Sequence, residues 1–302
     1  MTALPGADPL LADAIRHVGD KVDSLFDALL PVPEDGRARL VKAMRHAAIG
    51  GGKRLRPLLV MASADLFGVD PHHALRVGTA IEAVHVYSLI HDDLPCMDDD
   101  DMRRGKPTVH KAFDEATAVL AGDALQALAF EVLSSPETSG DPFVRAELVA
   151  VLAGASGVGG MAGGQMLDIV GEGQTLDLPA ITRLQQLKTG ALLSAAVEMG
   201  AVLGKVPAEG RTSLRGYARD IGLAFQIADD LIDHSGDSAV AGKAVGKDAE
   251  AGKQTFVALL GEERAREQAQ MLVEQGVGHL AAHGREADLL RAVARYIVKR
   301  DR

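Results

Sequence analysis

The chain has 302 residues, of which 47% are hydrophobic, and a chain of this length can bury a large apolar core. Its formal net charge of -10 and the absence of a long basic run argue against nucleic-acid binding, because phosphate contacts need clustered Lys and Arg residues. Aromatic residues make up only 3% of the chain and Trp is absent, so its Ala, Leu, Val and Ile residues favour packing of helix on helix over a sheet sandwich. We therefore expect an all-α fold.

The sequence shows no pattern typical of export or of membrane insertion. Met1 to Leu11 lacks a basic segment followed by an apolar core, and the single Cys96 cannot form an intramolecular disulfide. No stretch of about 18 residues is both apolar and uncharged, as a membrane span requires. We therefore expect a cytoplasmic protein without a membrane span.

Helices and turns are predicted for the first part of the chain. Asp8-Pro9 caps a helix with apolar residues at steps of three and four, and a short helix follows the break from Pro31 to Gly36. The chain then enters Gly50-Gly-Gly-Lys-Arg-Leu-Arg-Pro57. The glycines let the backbone approach an anion closely, and the Lys and Arg residues supply positive charge. This stretch indicates either a phosphate or diphosphate pocket or a flexible basic turn.

A dense aspartate cluster follows the next predicted helix. Pro71 to Ile90 forms that helix, so Asp92 and Asp93 lie at its C-terminal end, where the macrodipole disfavours each carboxylate by up to about 1 kcal/mol. A bound divalent cation would reverse that sign. On an ideal helix Asp98 would lie about 240° around from Asp92, but Pro95 disrupts the helix and allows Asp98 to return beside Asp92.

Two arginines, Arg103 and Arg104, follow the aspartates. A guanidinium presents a planar fork that suits phosphate oxygens, whereas a surface salt bridge to the nearby aspartates would contribute little. The sequence allows both uses at once.

The middle of the chain combines apolar helices with many glycines. Thr117 to Leu133 predicts a helix, and six glycines from Gly154 to Gly164 indicate either close helix packing or an irregular segment. Pro179 to Leu203 predicts another helix, in which Gly190 follows Lys188-Thr189. We expect a local kink there that points both side chains toward one site.

A second acidic helix end repeats the first. Leu214 to Ile232 predicts a helix that carries Gln226, and its last turns contain Asp229-Asp-Leu-Ile-Asp233, with the first and last aspartates one turn apart on one face. Either cluster alone is compatible with a solvated acidic surface, but two Asp-Asp-Leu helix ends indicate one shared cation cluster. The Gly-rich loop that follows contains Lys243, Lys247 and Lys253. Terminal helices come after it, and no segment predicts a strand.

Together these motifs resemble the trans-isoprenyl diphosphate synthase (polyprenyl synthetase) family, and most of all its bacterial branch that makes farnesyl diphosphate. The resemblance extends from about Gly50 to Leu260, although the loop from Ala241 to Gly252 matches less cleanly. The motifs that carry it are Gly51-Gly-Lys-Arg-Leu-Arg-Pro57, His91-Asp-Asp-Leu-Pro-Cys-Met-Asp98 with Arg103-Arg104, Gly164-Gln-Met-Leu-Asp168, Lys188-Thr189-Gly190, Phe225-Gln226 with Asp229-Asp-Leu-Ile-Asp233, and Gly252-Lys253.

The resemblance implies a single isoprenoid synthase domain over residues 1–302, with helices around a deep central cavity, and usually a homodimer. It also implies Mg²⁺, as three ions when a diphosphate is bound, held by the two aspartate motifs across the cavity mouth. The metal residues would be Asp92, Asp93, Asp98, Asp229, Asp230 and Asp233, with Asp92, Asp98 and Asp229 as direct ligands.

The implied substrates are an allylic diphosphate and isopentenyl diphosphate. The residues that would contact the allylic diphosphate are Arg103, Lys188 and Lys253, with Lys243 as a further candidate. Those that would contact isopentenyl diphosphate are Lys53, Arg56, His85 and Arg104. Thr189 and Gln226 would offer oxygen dipoles to a carbocation, which makes Lys188, Thr189, Gln226 and Arg103 the implied catalytic set.

Product length is a separate question. In the family that the chain resembles, the residue five positions before the first aspartate often forms the floor of the chain pocket, and here that residue is Tyr87, with Ser88 next to it. Tyr87 would lie about 7.5 Å down the helix from Asp92. A ring there favours the fifteen-carbon farnesyl product over ten or twenty carbons, unless the tyrosine only packs in the core.

Other functions fit the sequence less well. A terpene cyclase generally lines its pocket with aromatic side chains, and it needs no second diphosphate site. A helical metal phosphohydrolase would need further His ligands in a common site. A non-catalytic regulatory subunit would be expected to lack one aspartate motif or the arginine pair, and this chain has all of them.

Overall fold

The computed structural model describes residues 8–235 and 255–299, and the all-α prediction is confirmed for this part of the chain. The α-helices are α1 (Pro9–Leu29), α2 (Ala38–Ala48), α3 (Leu55–Asp65), α4 (Pro71–Asp92), α5 (Val109–Ala112), α6 (Glu115–Ser134), α7 (Pro142–Ser156), α8 (Met161–Gly171), α9 (Leu178–Gln185), α10 (Ala191–Leu203), α11 (Thr212–Ser235), α12 (Phe256–Leu260), α13 (Glu262–His279) and α14 (Asp288–Ile297). A π-helical turn (Gln186–Gly190) joins α9 to α10.

Aspartate caps begin several of these helices where the sequence predicts them. The Leu11 amide donates to the carboxylate of Asp8 at 2.9 Å, and the His72 amide donates to Asp70 at 2.8 Å. In both helices proline occupies the first turn, where its missing N–H costs nothing. These caps fix the residues at which α1 and α4 begin.

Helix α4 is the centre of the core. It packs against α3, α6 and α10, and most of its residues from Ala74 to Ile90 are buried. Helix α11 packs against α13 and the π-helical turn. The two aspartate motifs therefore stand at the ends of two buried helices that the bundle holds rigidly.

A short hairpin between the first aspartates and α5 was not predicted. Strands β1 (Met102–Arg103) and β2 (Lys106–Pro107) pair antiparallel, with Arg103 opposite Lys106. The turn between them has Arg104 at φ 52° and Gly105 at φ 76°. The expectation of no strand was wrong here, because two-residue strands leave no alternating apolar pattern to detect.

The glycine-rich segment satisfies both interpretations that the sequence left open. Helix α7 ends at Ser156 and α8 begins at Met161, so the chain is irregular between them. At Gly164 the packing is close, since a Cβ atom there would lie 2.1 Å from the backbone nitrogen of Lys188. Gly164 thus lets α8 press against the π-helical turn.

Two stretches of the described chain, Glu115–Ser134 and Pro142–Gly171, are long and apolar enough to cross a membrane by length and composition. Such a stretch contains up to two charged residues in 18, whereas the expectation of no membrane span concerned only uncharged stretches. Within the two windows, 39% and 28% of the residues are buried in the protein. The absence of a membrane span stays a prediction.

Candidate active site

The first aspartate motif folds back on itself. Asp92 is the last residue of α4, and the chain then turns so that the amide of Asp98 donates to the carbonyl of Asp92 at 2.8 Å. This is the local reversal that Pro95 was expected to permit. Asp92, Asp93 and Asp98, called the aspartate cluster below, therefore lie together.

Burial makes the aspartate cluster electrostatically unfavourable without a cation. It raises the pKa of Asp92 to about 6 and that of Asp93 to about 6. The neighbouring carboxylates contribute to both raised values, while Lys188 and Arg103 oppose the rise at Asp92 and Arg103 opposes it at Asp93. Asp93 is buried and accepts a hydrogen bond from Arg103 Nε at 2.6 Å, so Arg103 does form the salt bridge that the sequence allowed.

We expect Mg²⁺ to stabilise the folded protein much more at pH 8 than at pH 5. The pKa values near 6 lie above the ordinary 3.8, so ionisation costs folding free energy at neutral pH, and this cost decreases as the pH falls from about 6 toward 3.8. Below pH 6 the metal must displace protons, which lowers its affinity about tenfold per pH unit for each proton released. Melting temperatures with and without millimolar Mg²⁺ from pH 5 to pH 8 would measure this. An equal Mg²⁺ effect at both ends of the range would contradict the assignment of these carboxylates.

The π-helical turn brings Lys188 to the aspartate cluster. Lys188 Nζ donates to Asp168 of α8 at 2.6 Å, and its charge also lowers the pKa of Asp92. A π-helical turn has one more residue than an α-helical turn, so it bulges and redirects its side chains. The kink predicted at Lys188-Thr189-Gly190 is this bulge. No role was predicted for Asp168, although it ends one of the motifs that carry the family resemblance.

A chain of hydrogen bonds crosses from the π-helical turn to α11. The Thr189 hydroxyl donates to Gln226 Oε1 at 3.2 Å, and Gln226 Nε2 donates to Asp230 Oδ1 at 2.9 Å. The other oxygen of Asp230 accepts from the Phe256 amide at 2.8 Å. Asp230 is buried and holds the Gln226 amide and the start of α12, while its part in binding metal stays a prediction.

The predicted anion loop has the backbone that its glycines suggested. Gly50 and Gly52 lie at φ 78° and 83°, in the left-handed region. A Cβ atom on Gly52 would lie 2.6 Å from the guanidinium carbon of Arg104, so that guanidinium lies directly over the glycine. Residues 50–54, called the glycine loop below, thus contact the arginine after the aspartates.

Half-buried cations lie close to the glycine loop. Arg56 has a buried Nε atom that lacks a hydrogen-bond partner in the described protein, and Arg104 Nη2 lies 3.5 Å from His85 Nε2. Burial and the surrounding arginines lower the pKa of His85 well below its ordinary value, so its ring is neutral. Burial lowers the pKa of Arg56, and the negative charges of Glu82 and Asp229 oppose that lowering. The structure therefore brings Arg56, Arg104 and His85, which were predicted to bind one diphosphate, close enough to influence one another.

Other predicted residues lie at the edge of this arrangement. Lys53 is exposed, and its ammonium stands 5.7 Å from the ring centre of Tyr296 in α14. Asp233 is half-buried in the last turn of α11. Lys243, Lys247 and Lys253 lie outside the described residues.

Tyr87 lies on α4, five residues before Asp92 of the aspartate cluster. Its half-buried ring meets the ring of His91 edge to face, with centroids 5.8 Å apart, and its hydroxyl interacts with Gln126 of α6. The adjacent Ser88 donates its hydroxyl to the carbonyl of His85 at 2.9 Å. The ring therefore lies between α4 and α6.

A possible trio of metal ligands lies outside the predicted set. Within the described part of the chain, three possible metal ligands have atoms within 4.8 Å of one another at Asp99, Asp101 and His110. No such trio among the described residues includes the predicted metal residues. Mg²⁺ that is bound partly through phosphate oxygens and water does not require three carboxylates so close together.

Comparison with known proteins gives consistent results. Residues 37–293 match the polyprenyl synthetase family. The chain is 47% identical to the farnesyl diphosphate synthase of Escherichia coli K12, over 97% of this chain and 99% of that protein. It is 43% identical to chloroplastic geranylgeranyl pyrophosphate synthase 11 of Arabidopsis thaliana, over 93% of this chain and 80% of that protein.

Solved structures agree with these sequence relatives. An FPP/GFPP synthase from Zymomonas mobilis, in its apo form, superposes with a TM-score of 0.87 at 59% identity. The match covers 96% of this chain and 99% of that chain.

Proposed function

The chain belongs to the polyprenyl synthetase family and is a prenyltransferase, and from this premise we propose that it makes farnesyl diphosphate. It condenses isopentenyl diphosphate head to tail with dimethylallyl or geranyl diphosphate. One observation carries the proposal: Arg104 and a neutral His85 lie together near the glycine loop, while Arg103 and Lys188 accompany the aspartate cluster. A reaction between two diphosphates needs two such sites.

The two substrates have separate sets of contacts in this proposal. Arg103 and Lys188, beside the aspartate cluster, bind the allylic diphosphate, and Lys253 and Lys243 are the further candidates outside the described residues. Arg56, Arg104 and the neutral His85 bind isopentenyl diphosphate, together with Lys53. The buried Nε of Arg56, which has no hydrogen-bond partner in the described protein, suits a phosphate oxygen at the second of these sites.

The aspartate motifs fit Mg²⁺ by their donor atoms, which are carboxylate oxygens, and burial raises the pKa values of two of them, Asp92 and Asp93. In the proposed site Asp92, Asp98 and Asp229 hold the ions, with Asp93, Asp230 and Asp233 in support. When bound, Mg²⁺ neutralises charge on the departing diphosphate. Three ions are expected once that diphosphate is present.

The chain's own residues position the reacting groups. As the allylic C–O bond breaks, Arg103 and Lys188 stabilise negative charge on the leaving diphosphate. The Thr189 hydroxyl donates a hydrogen bond to Gln226 Oε1, so the lone pairs of the Thr189 oxygen are available to the carbocation. The double bond of isopentenyl diphosphate then forms the new C–C bond, and the released diphosphate takes the proton that is lost.

Product length follows from the pocket below the aspartate cluster. Farnesyl diphosphate synthases among the relatives favour fifteen carbons, while the geranylgeranyl pyrophosphate synthase and the FPP/GFPP synthase keep longer products as the alternative. The ring of Tyr87 supports the shorter product.

We also propose a homodimer in the cytoplasm. Large apolar side chains are exposed on α6 and on α8, and exposed apolar surface is a typical feature of a protein interface. The residues are Val119, Leu120, Met166, Leu167, Ile169 and Val170. Sedimentation at several protein concentrations tests this assembly.

Product analysis tests the function. Purified protein is incubated with Mg²⁺, isopentenyl diphosphate and dimethylallyl diphosphate, and the dephosphorylated products are sized by chromatography. Farnesol that disappears with EDTA supports the proposal. Geranylgeraniol as the main product would retain prenyl transfer and exclude the proposed length, and no condensation would favour a regulatory subunit or a hydrolase.

A further inference from the structure

A buried arginine stands at the end of the glycine loop. Arg54 is 3% exposed and caps α3 with its backbone at φ 49°, a left-handed conformation that is uncommon for a residue with a Cβ atom. Such a conformation persists only when its surroundings hold it in place. The contacts of its side chain show what those surroundings are.

The guanidinium of Arg54 joins three elements. Its Nη1 donates to Glu82 of α4 at 2.9 Å, and its Nη2 donates to Asp23 of α1 at 2.6 Å. Nη2 also donates to the carbonyl of Ala48, at the end of α2. The guanidinium carbon lies 6.0 Å from the ring centre of Phe26. Each of these contacts restrains the orientation of the planar fork.

Asp23 holds both ends of the glycine loop. One of its oxygens accepts from Arg54, and the other accepts from the Gly50 amide at 2.9 Å. A single carboxylate from α1 thus fixes the distance across the loop.

Glu82 connects this clamp to the anion site. Its side chain is 2% exposed, and it lies one turn before His85 on the same face of α4. Its negative charge favours the charged forms of Arg56 and Arg104, opposing the burial that lowers their pKa values. The charge of a buried carboxylate under an anion site weakens anion binding, so Glu82 needs a structural reason to be there. The hydrogen bond from Arg54 supplies that reason.

We propose that Glu82, Arg54 and Asp23 are positioning residues of the isopentenyl diphosphate site. They hold the glycine loop in its left-handed path, so that Arg56 and Arg104 converge on one diphosphate. They touch neither substrate. The inference rests on the proposed function, which assigns isopentenyl diphosphate to this loop.

The test compares the two substrates in one variant. Glu82→Gln keeps the shape of the side chain and removes the charge that holds Arg54. We expect its KM for isopentenyl diphosphate to rise about tenfold, the loss of one good contact, and its KM for geranyl diphosphate to change less than about twofold. Asp220→Asn is the matched control. Asp220 is also a buried carboxylate, and its ion pair with His279 joins α11 to α13 and does not involve the glycine loop.

Coupling between residues provides the second arm. Arg54→Lys keeps the positive charge but cannot bridge Glu82 and Asp23 at once, so it should show the same selective defect. If the three residues act as one clamp, the Glu82→Gln/Arg54→Lys double variant loses no more than the worse single variant. Asp23→Asn, at the 30% exposed edge of the clamp, carries the test if the buried variants fail to fold.

The outcomes separate the inference from the proposed function. Calorimetric titration with isopentenyl diphosphate alone should give the same tenfold weakening, whether or not the wild-type protein condenses its substrates. A KM for isopentenyl diphosphate that stays unchanged or falls in Glu82→Gln would overturn the inference, because Glu82 would then act only as a counter-charge. An equal rise for both substrates would also overturn it, since the clamp would then be general scaffolding.

Discussion

Replacing Asp92 by Asn is expected to lower kcat about 1,000-fold, the usual effect of removing one electrostatic contact to developing charge. The substitution keeps the shape of the side chain and removes one of the proposed direct metal ligands at the end of α4. The same variant should melt at the same or a higher temperature in the absence of metal, because burial raises the pKa of Asp92 to about 6 and its ionised form is unfavourable. Steady-state kinetics and thermal unfolding measure the two effects.

Asp99 offers the matched control for that variant. It lies in the same acidic stretch but is exposed, and its backbone at φ 47° suits asparagine. Asp99→Asn should retain kcat within about twofold, like most exposed substitutions. If Asp99→Asn loses as much activity as Asp92→Asn, the essential metal lies instead with Asp99, Asp101 and His110.

Replacing Tyr87 by Ala is expected to shift the main product from fifteen to twenty or more carbons. The substitution removes a ring between α4 and α6, about 7.5 Å below Asp92, and so deepens the pocket into which the growing chain extends. The cationic and acidic groups are untouched, so kcat should fall less than tenfold. Chromatography of the dephosphorylated products gives the chain-length distribution directly.

Tyr87→Phe separates the ring from its hydroxyl. It removes the interaction with Gln126 and keeps the bulk, so the product should remain farnesyl diphosphate. If Tyr87→Ala and Tyr87→Phe both give the wild-type distribution, Tyr87 is a packing residue and the pocket floor lies elsewhere.

Several site features were predictable because they depend on local chemistry. Pro95 ends helical continuity, and the return of Asp98 to the carbonyl of Asp92 follows from it. Gly50 and Gly52 take the left-handed conformations that a close-approach loop requires. Asp8 and Asp70 begin their helices by capping the first amides. Such effects span a few residues, so the sequence contains all the participants.

Other features involve partners that are distant in the chain. The clamp at Arg54 joins Asp23 to Glu82. The chain of hydrogen bonds through Asp230 joins Thr189 to Phe256. No local pattern marks Glu82 or Asp230 as a hydrogen-bonding partner, since Glu82 appears in the sequence only as an acidic residue in an apolar helix and Asp230 only as a member of an aspartate motif. The pairing of Lys188 with Asp168 has the same character.

The sequence alone determined the helical class, the two aspartate motifs and the glycine loop, because composition, helix caps and residue spacing act over one or two turns. It also contained the motifs that establish the family. Only the tertiary structure decided which buried charges neutralise one another and which residue of α6 the Tyr87 side chain meets. Those outcomes depend on how α1, α4, α8 and α11 pack, and packing is settled by contacts between residues far apart in the chain.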